Sequence, residues 1–161
     1  MDAFDLINTP LTGTKLIEAS AGTGKTYTIA GLFVRLILEM RFKVEQILVV
    51  TYTKAATEEL RGRIYRKLIQ TRNGFDTGAS EDSFVEKLIQ QSTDRDEALR
   101  LLKDAIVDMD RASVFTIHGF CQRVLHENAF ETGSLYDTEL VPDPTDLYLE
   151  VAEDFWRTHL Y

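Results

Sequence analysis

The octet Ala19-Ser20-Ala21-Gly22-Thr23-Gly24-Lys25-Thr26 constrains this chain more than any other feature of its sequence. It follows a short apolar run, Leu16-Ile17, and precedes a stretch in which Ile29, Leu32, Phe33, Leu36, Ile37 and Met40 recur at helical spacing. The order therefore reads strand, tight loop, then a helix from about Gly24 to Met40. Small residues in such a loop let backbone N–H groups close round phosphate oxygens, and the positive end of the following helix points at the same anion. Lys25 would reach the β and γ phosphates of a nucleoside triphosphate such as ATP, and the Thr26 hydroxyl would ligate Mg2+. All eight residues, Ala19 to Thr26, form the candidate ATP site, with Lys25 as the candidate catalytic cation. Ala19 stands where the usual motif, GxxxxGK[ST], has its first glycine.

A chain of 161 residues with 44% apolar side chains has material for about one domain with a buried core. No apolar run approaches the roughly 20 residues of a membrane-spanning helix, and the start, Met1-Asp2-Ala3-Phe4-Asp5, is acidic where a secretory signal is basic. The single Cys121 excludes an internal disulfide and suits a reducing, cytoplasmic setting; in an apolar helix it reads as a packing residue. The net charge of −8 argues at first against a nucleic-acid partner, but the charge is segregated. Lys54, Arg61, Arg63, Arg66, Lys67 and Arg72 face only Glu58 and Glu59 in their segment, whereas residues 76–110 and 127–154 are strongly acidic.

Short apolar strands alternate with longer helical periods, which predicts an α/β fold, a parallel sheet flanked by helices in a doubly wound arrangement. Strand one is expected near Lys15 to Ala19 and strand two at Ile47 to Tyr52. A helix follows from about Ala55 to Thr71, with Ala56, Leu60, Ile64 and Leu68 on one face. Residues 73–80 read as a turn-rich break, followed by two helical segments near 82–91 and 94–109 that form a helical insertion. Asp108 keeps helical company and reads as a solvated helix residue rather than a metal-binding acid. A third strand, Val114-Phe115-Thr116, feeds a helix from about His118 to Ala129, and a last helix begins near Thr145. The organisation expected is a phosphate-loop half at 1–75, the insertion at 76–111, the third strand and its helix at 112–135, and the start of a helical subdomain at 136–161.

Strand two is followed by Thr51-Tyr52-Thr53-Lys54-Ala55-Ala56-Thr57-Glu58-Glu59-Leu60-Arg61-Gly62-Arg63-Ile64, and strand three by Thr116-Ile117-His118-Gly119-Phe120-Cys121-Gln122-Arg123. Ligands of open α/β sheets bind at the carboxyl ends of strands, so these hydroxyls, cations and histidine share the phosphate loop's side. Taken alone, Thr53 and Thr116 read as caps, His118 as a structural histidine and Phe120 as core. Taken in order on one sheet, the three blocks resemble motifs I, Ia and Ib/Ic of the UvrD-like superfamily 1 DNA helicases. Within that superfamily they look closest to the exodeoxyribonuclease V beta-subunit family, over about residues 6 to 161.

The resemblance implies a RecA-like P-loop NTPase fold and an incomplete motor domain, with ATP and Mg2+ as cofactors. It implies that Thr53, Lys54, Arg61, Arg63, Thr116 and His118 contact DNA, and that the parent acts on single- and double-stranded DNA in double-strand break repair and recombination. It also implies gamma and alpha subunits of exodeoxyribonuclease V as partners. Chemistry agrees, because hydroxyls, cations and helix N-termini hold phosphates without reading sequence, while Tyr52 could stack on a base. In place of the LNxxQ pattern that reads adenine in many relatives, this chain has Ile7-Asn8-Thr9-Pro10-Leu11. No block matching the family's Walker B acids occurs before Tyr161, so the chain reads as a piece of a longer protein that by itself neither unwinds DNA nor turns over ATP appreciably. The alternatives are another P-loop NTPase, such as a small-molecule kinase, which leaves the basic helix and the Thr-x-His block without a use, and a non-catalytic docking domain.

Overall fold

A computed structural model describes residues 4–18, 22, 24–132 and 143–160, and the chain divides into two compact units, 1–120 and 121–161. In the first unit, α1 (Lys25–Met40) leads through a 3-10 turn (Val44–Gln46) to β1 (Val49–Thr51). Three helices follow, α2 (Lys54–Thr77), α3 (Ser83–Gln91) and α4 (Arg95–Val107), then a second 3-10 turn (Asp108–Arg111), β2 (Val114–Thr116) and the start of α5 (Ile117–Glu127). β1 and β2 pair in parallel with Val49 opposite Val114 and Thr51 opposite Thr116. Parallel neighbours cannot be joined by a tight turn, and here the crossover is made by α2, α3 and α4.

The sheet is smaller than the sequence suggests. Among the described residues it has two strands, and 15–18, expected as strand one, pair with neither. An extended segment without a neighbour has no ladder to complete, and Leu16, which a sheet interior would bury, is exposed. Ala19, the end of that expected strand, lies outside the described residues.

The buried face of α1 is also rotated from the expected stripe. Ala30, Phe33, Val34 and Ile37 are buried, whereas Ile29 and Met40 are exposed. The cause is the segment before the phosphate loop, which lies across α1. Gly31 admits Leu6 so closely that a Cβ there would come within 2.6 Å of Leu6 Cδ2. Buried Arg35 donates to the carbonyls of Leu6 (2.9 Å) and Thr9 (2.8 Å) and pairs with both carboxylate oxygens of Glu39 (2.5 and 2.8 Å). Each of its hydrogen-bonding edges is matched, which is what makes a buried guanidinium tolerable.

α2 runs through the segment expected to break. It continues past Asn73-Gly74 to Thr77 and stops at Gly78, whose left-handed backbone (φ 86°) caps it. Packing overrides the local turn preference: Phe75 is buried, and a Cβ at Gly74 would lie 2.8 Å from Val85 Cγ1 and 3.2 Å from Ile89 Cδ1 of α3. Gly74 is thus the point at which α3 approaches α2. Gly74→Ala gains about 1 kcal/mol of helix propensity but drives a methyl into a stiff valine, so the net expected result is a loss of about 1–2 kcal/mol in urea denaturation.

The core of the unit gathers Phe33, Ile37, Ile64, Leu68, Phe75, Val85, Leu102 and Val114 from α1, α2, α3, α4 and β2. Each such side chain contributes roughly 1.5–3 kcal/mol on burial, before the entropy of ordering is subtracted. Ala56, expected on the buried face of α2, is exposed. The second unit holds residues 121–127 of α5, α6 (Ala129–Thr132) and α7 (Thr145–His159). Cys121, expected to pack, is exposed on α5.

Candidate functional site

The phosphate-loop residues that are described are Gly22, Gly24, Lys25 and Thr26; Ala19, Ser20, Ala21 and Thr23 lie outside the described residues. Gly22 and Gly24 both adopt left-handed backbone (φ 80° and 89°), and a Cβ at either position would meet nothing within 4 Å. Side chains rarely adopt this conformation, so glycine is required here by the backbone and not by crowding. Gly24 caps α1 without any side-chain hydrogen bond, and Lys25, exposed, and Thr26, half-buried, are the first two residues of a 16-residue helix. A helix start lacking a side-chain cap leaves its first-turn N–H groups to other acceptors, and an anion suits them.

The second group sits where β1 and β2 end side by side. Thr51 is opposite Thr116, so the turns into α2 and α5 leave the same edge of the sheet. Thr53 caps α2 by accepting from the Ala56 N–H (3.1 Å), and its carbonyl accepts from the Thr57 hydroxyl, which meets Thr51 Oγ1 at 2.6 Å. Thr116 Oγ1 accepts from the Gly119 N–H (3.0 Å) in the same manner. Both threonines are therefore caps, as each reads in isolation, and each hydroxyl still carries a proton to donate outward. Tyr52, Lys54 and His118 are exposed beside them, and Phe120, expected as core, is half-buried.

The basic face of α2 is less free than its composition suggests. Arg61 is half-buried and donates to the Val114 carbonyl of β2 (3.2 Å), which ties α2 to the sheet. Arg63 is exposed and pairs with Glu59 at 2.6 Å. Lys67 is withdrawn altogether. Its ammonium lies 2.5 Å from Asp82 Oδ2, 4.1 Å from the centre of the Tyr27 ring and 5.1 Å from the centre of the Phe84 ring. Asp82 also accepts from the Tyr27 hydroxyl (2.8 Å) and, as cap of α3, from the N–H groups of Phe84 and Val85 (3.0 and 3.2 Å). One carboxylate thus joins the first turn of α1, the middle of α2 and the start of α3. This cluster has no local sequence signal beyond the capping position of Asp82, because its partners are 15 and 55 residues away.

Burial pushes the Asp82 carboxyl up, but hydrogen bonds from Lys67, Tyr27 and the Val85 N–H outweigh it and hold the group below the ordinary carboxylate range. Burial alone pushes the Lys67 ammonium down, against the pull of Asp82. A carboxyl lowered by folding stabilises the fold fully above its unfolded value of about 3.9 and loses that contribution as pH falls through the folded value. Urea denaturation is therefore expected to show stability falling from about pH 4 downward, with a shallower fall in Asp82→Asn.

A groove of about 530 Å3 runs between α1 and α2, lined by Tyr27, Ala30, Arg63, Arg66, Lys67 and Gln70. Further along the same helices, Leu38 and Glu39 share a cavity with Phe75. α1 and α2 consequently run in the same direction, so the N-termini of both helices point toward the same end of the unit. At 1.5 Å per residue, the start of α1 lies roughly 15 Å along the α2 axis from its first turn. Among the described residues there is no group of three or more metal-ligating side chains and no helix long and apolar enough to cross a membrane.

Residues 3–159 match the model of the UvrD/REP helicase N-terminal domain. The chain is 44% identical to the RecBCD enzyme subunit RecB of Escherichia coli K12, with 99% of the chain aligned. It is 42% identical to the same subunit of Haemophilus influenzae over 96% of the chain, and 34% identical to that of Mycolicibacterium smegmatis over 99%. In the first two the aligned region is 14% of the relative's length, and in the third it is 15%.

Proposed function

Because the chain belongs to the UvrD/REP helicase N-terminal domain family, we propose that it is the nucleotide-binding front of an ATP-driven DNA motor, with a RecA-like fold about its parallel sheet. The observation that carries this reading is the pair of left-handed glycines, Gly22 and Gly24, placed just before Lys25 and Thr26 at the start of α1, where Gly24 as N-cap has no side chain to offer. In this reading the loop residues Ala19 to Thr26 cradle the triphosphate of ATP, and the Lys25 ammonium meets its outer oxygens. The donor set suits Mg2+ that arrives with the nucleotide, since one threonine hydroxyl is little for a protein cage but enough beside phosphate oxygens. Thr26 would hold the ion, which when bound neutralises and bridges the phosphates.

Thr53, Lys54, Thr116 and His118 are the proposed DNA contacts, lying at the shared carboxyl edge of β1 and β2. The exposed Lys54 and the two outward hydroxyls suit the backbone of a single strand, and the bare ring of Tyr52 suits stacking on a base. Arg63 adds positive potential, while Arg61 acts mainly by bracing α2 against β2. The parent protein in this reading is a cytoplasmic ATP-dependent helicase and nuclease that works on single- and double-stranded DNA with further subunits in break repair. The relatives' names, which place each as a subunit of a RecBCD enzyme, support that assignment.

Titration of a labelled oligothymidylate into the chain at several salt concentrations tests the DNA half. The logarithm of the binding constant is expected to fall linearly with the logarithm of salt, by about 0.7 for each phosphate contact, and Lys54→Ala is expected to remove roughly one contact from that slope. Binding that is insensitive to salt, or a slope unchanged in Lys54→Ala, contradicts the assignment.

A further inference from the structure

We propose that Tyr27 is a positioning residue, through which the α3 cap at Asp82 fixes the first turn of α1 and with it the pose of Lys25 and Thr26. The inference rests on the reading of Gly22 to Thr26 as a phosphate site and adds to it a part of the molecule outside the loop. α1 begins after two glycines in left-handed backbone with open space where a Cβ would stand at each, and its N-cap residue, Gly24, has no side chain to cap it. Tyr27, the third residue of the helix, ties that turn to α2 and to the start of α3.

Its ring is held in two directions at once. The hydroxyl donates to Asp82 Oδ1 at 2.8 Å, the Lys67 ammonium rests 4.1 Å from the ring centre, and the Phe84 ring meets it edge-on with centroids 6.4 Å apart. Asp82 is itself immobilised. Its second oxygen takes Lys67, its first also caps α3 through Phe84 and Val85, and its own N–H donates to Ser80 Oγ at 3.2 Å. Ser80 in turn donates its N–H to Glu86 at 2.9 Å, closing the turn before α3. The anchor therefore reaches from a rigid cap to the first turn of α1, two residues from the lysine proposed to meet phosphate. Tyr27 remains 42% exposed, so its hydroxyl bond is not forced by burial. A bond to a fully committed carboxylate at that position orders the turn that carries Lys25.

Tyr27→Phe keeps the ring, the ammonium beneath it and the packing on Phe84, and removes only the hydroxyl. In the 161-residue chain, affinities for Mg·ATP and for inorganic triphosphate are measured by calorimetry, with amide hydrogen exchange of residues 28–31, the first to donate within the helix, read without any ligand. Tyr27→Phe is expected to weaken both ligands by the same factor, roughly three- to tenfold, because the loss lies in the phosphate pose and not in a contact with the base. Exchange across 28–31 is expected to quicken while the urea midpoint stays close to wild type. Unchanged exchange in Tyr27→Phe overturns the anchor, and so does a loss confined to ATP with inorganic triphosphate unaffected. Wild-type chain that binds neither ligand refutes the phosphate-site reading instead, and the exchange result still decides whether Tyr27 orders the turn.

Discussion

Lys25→Ala is expected to weaken Mg·ATP binding by the chain by roughly ten- to a hundredfold, the equivalent of one charge-assisted hydrogen bond of about 1.5–3 kcal/mol. The side chain is exposed at the first position of α1, so its truncation removes a cation from the mouth of the loop without opening a cavity. The variant is accordingly expected to fold, since no core packing is removed. Gly22 and Gly24 keep their backbone in the variant, and the amides of the loop and the start of α1 go on attracting an anion, which is why the loss is large but not total. Isothermal calorimetry with Mg·ATP reads the effect directly. An affinity equal to wild type removes Lys25 from the site.

Asp82→Ala carries the largest expected effect on folding. Lys67 and Asp82 have side chains only 5% and 12% exposed, and removing the carboxylate strands an ammonium beside two aromatic rings. Breaking a buried pair from one side costs about 3–5 kcal/mol, and loss of the α3 cap adds about 1 kcal/mol. Lys67→Met is the informative contrast. Asp82 then keeps the Tyr27 hydroxyl and the N–H groups of Phe84 and Val85, and the methionine fills the space of the lysine stem, so the expected cost is less than half as great. Urea denaturation of the two variants measures the difference. Equal costs mean that the pair is held by packing alone.

The parts of this fold legible in the sequence are those fixed by local periodicity. The α1 helix after the phosphate loop, the strand expected at Ile47 to Tyr52 and found at Val49–Thr51, the strand Val114 to Thr116 and the helix starting at Thr145 each follow from apolar spacing bounded by caps or turns. Distant contacts decided the rest. Asn73-Gly74 reads as a break, yet Gly74 is helical because α3 needs its missing side chain. Arg35 sits on the polar side of the periodic pattern, yet it is buried because the carbonyls of Leu6 and Thr9 converge on it from 29 and 26 residues earlier. Lys67 counts toward a basic helix in composition and is neutralised in space.

The candidate site shows the same division. Thr53 and Lys54 were legible as strand-end and helix-start residues, and so was Thr116. Arg61 was legible as a cation but not as a brace on the Val114 carbonyl, because its partner is 53 residues away. The link from Tyr27 to Asp82 had no sequence signal at all, since a tyrosine in a first helical turn is unremarkable until the α3 cap is placed beside it.

The central claim is that a triphosphate and a DNA strand meet two neighbouring loop sets opening on one side of a single unit. Amide chemical shifts of the labelled chain, followed on adding Mg·ATP and then an oligothymidylate, test it most directly. The account predicts that the nucleotide moves the amides of Gly22 and of Gly24 to Tyr27, and that the oligonucleotide moves those of Thr53 to Ala56 and of Thr116 to Gly119. A nucleotide that leaves Gly22 to Tyr27 unmoved and instead shifts the far groove beside Ile37, Arg41 and Leu101 contradicts it.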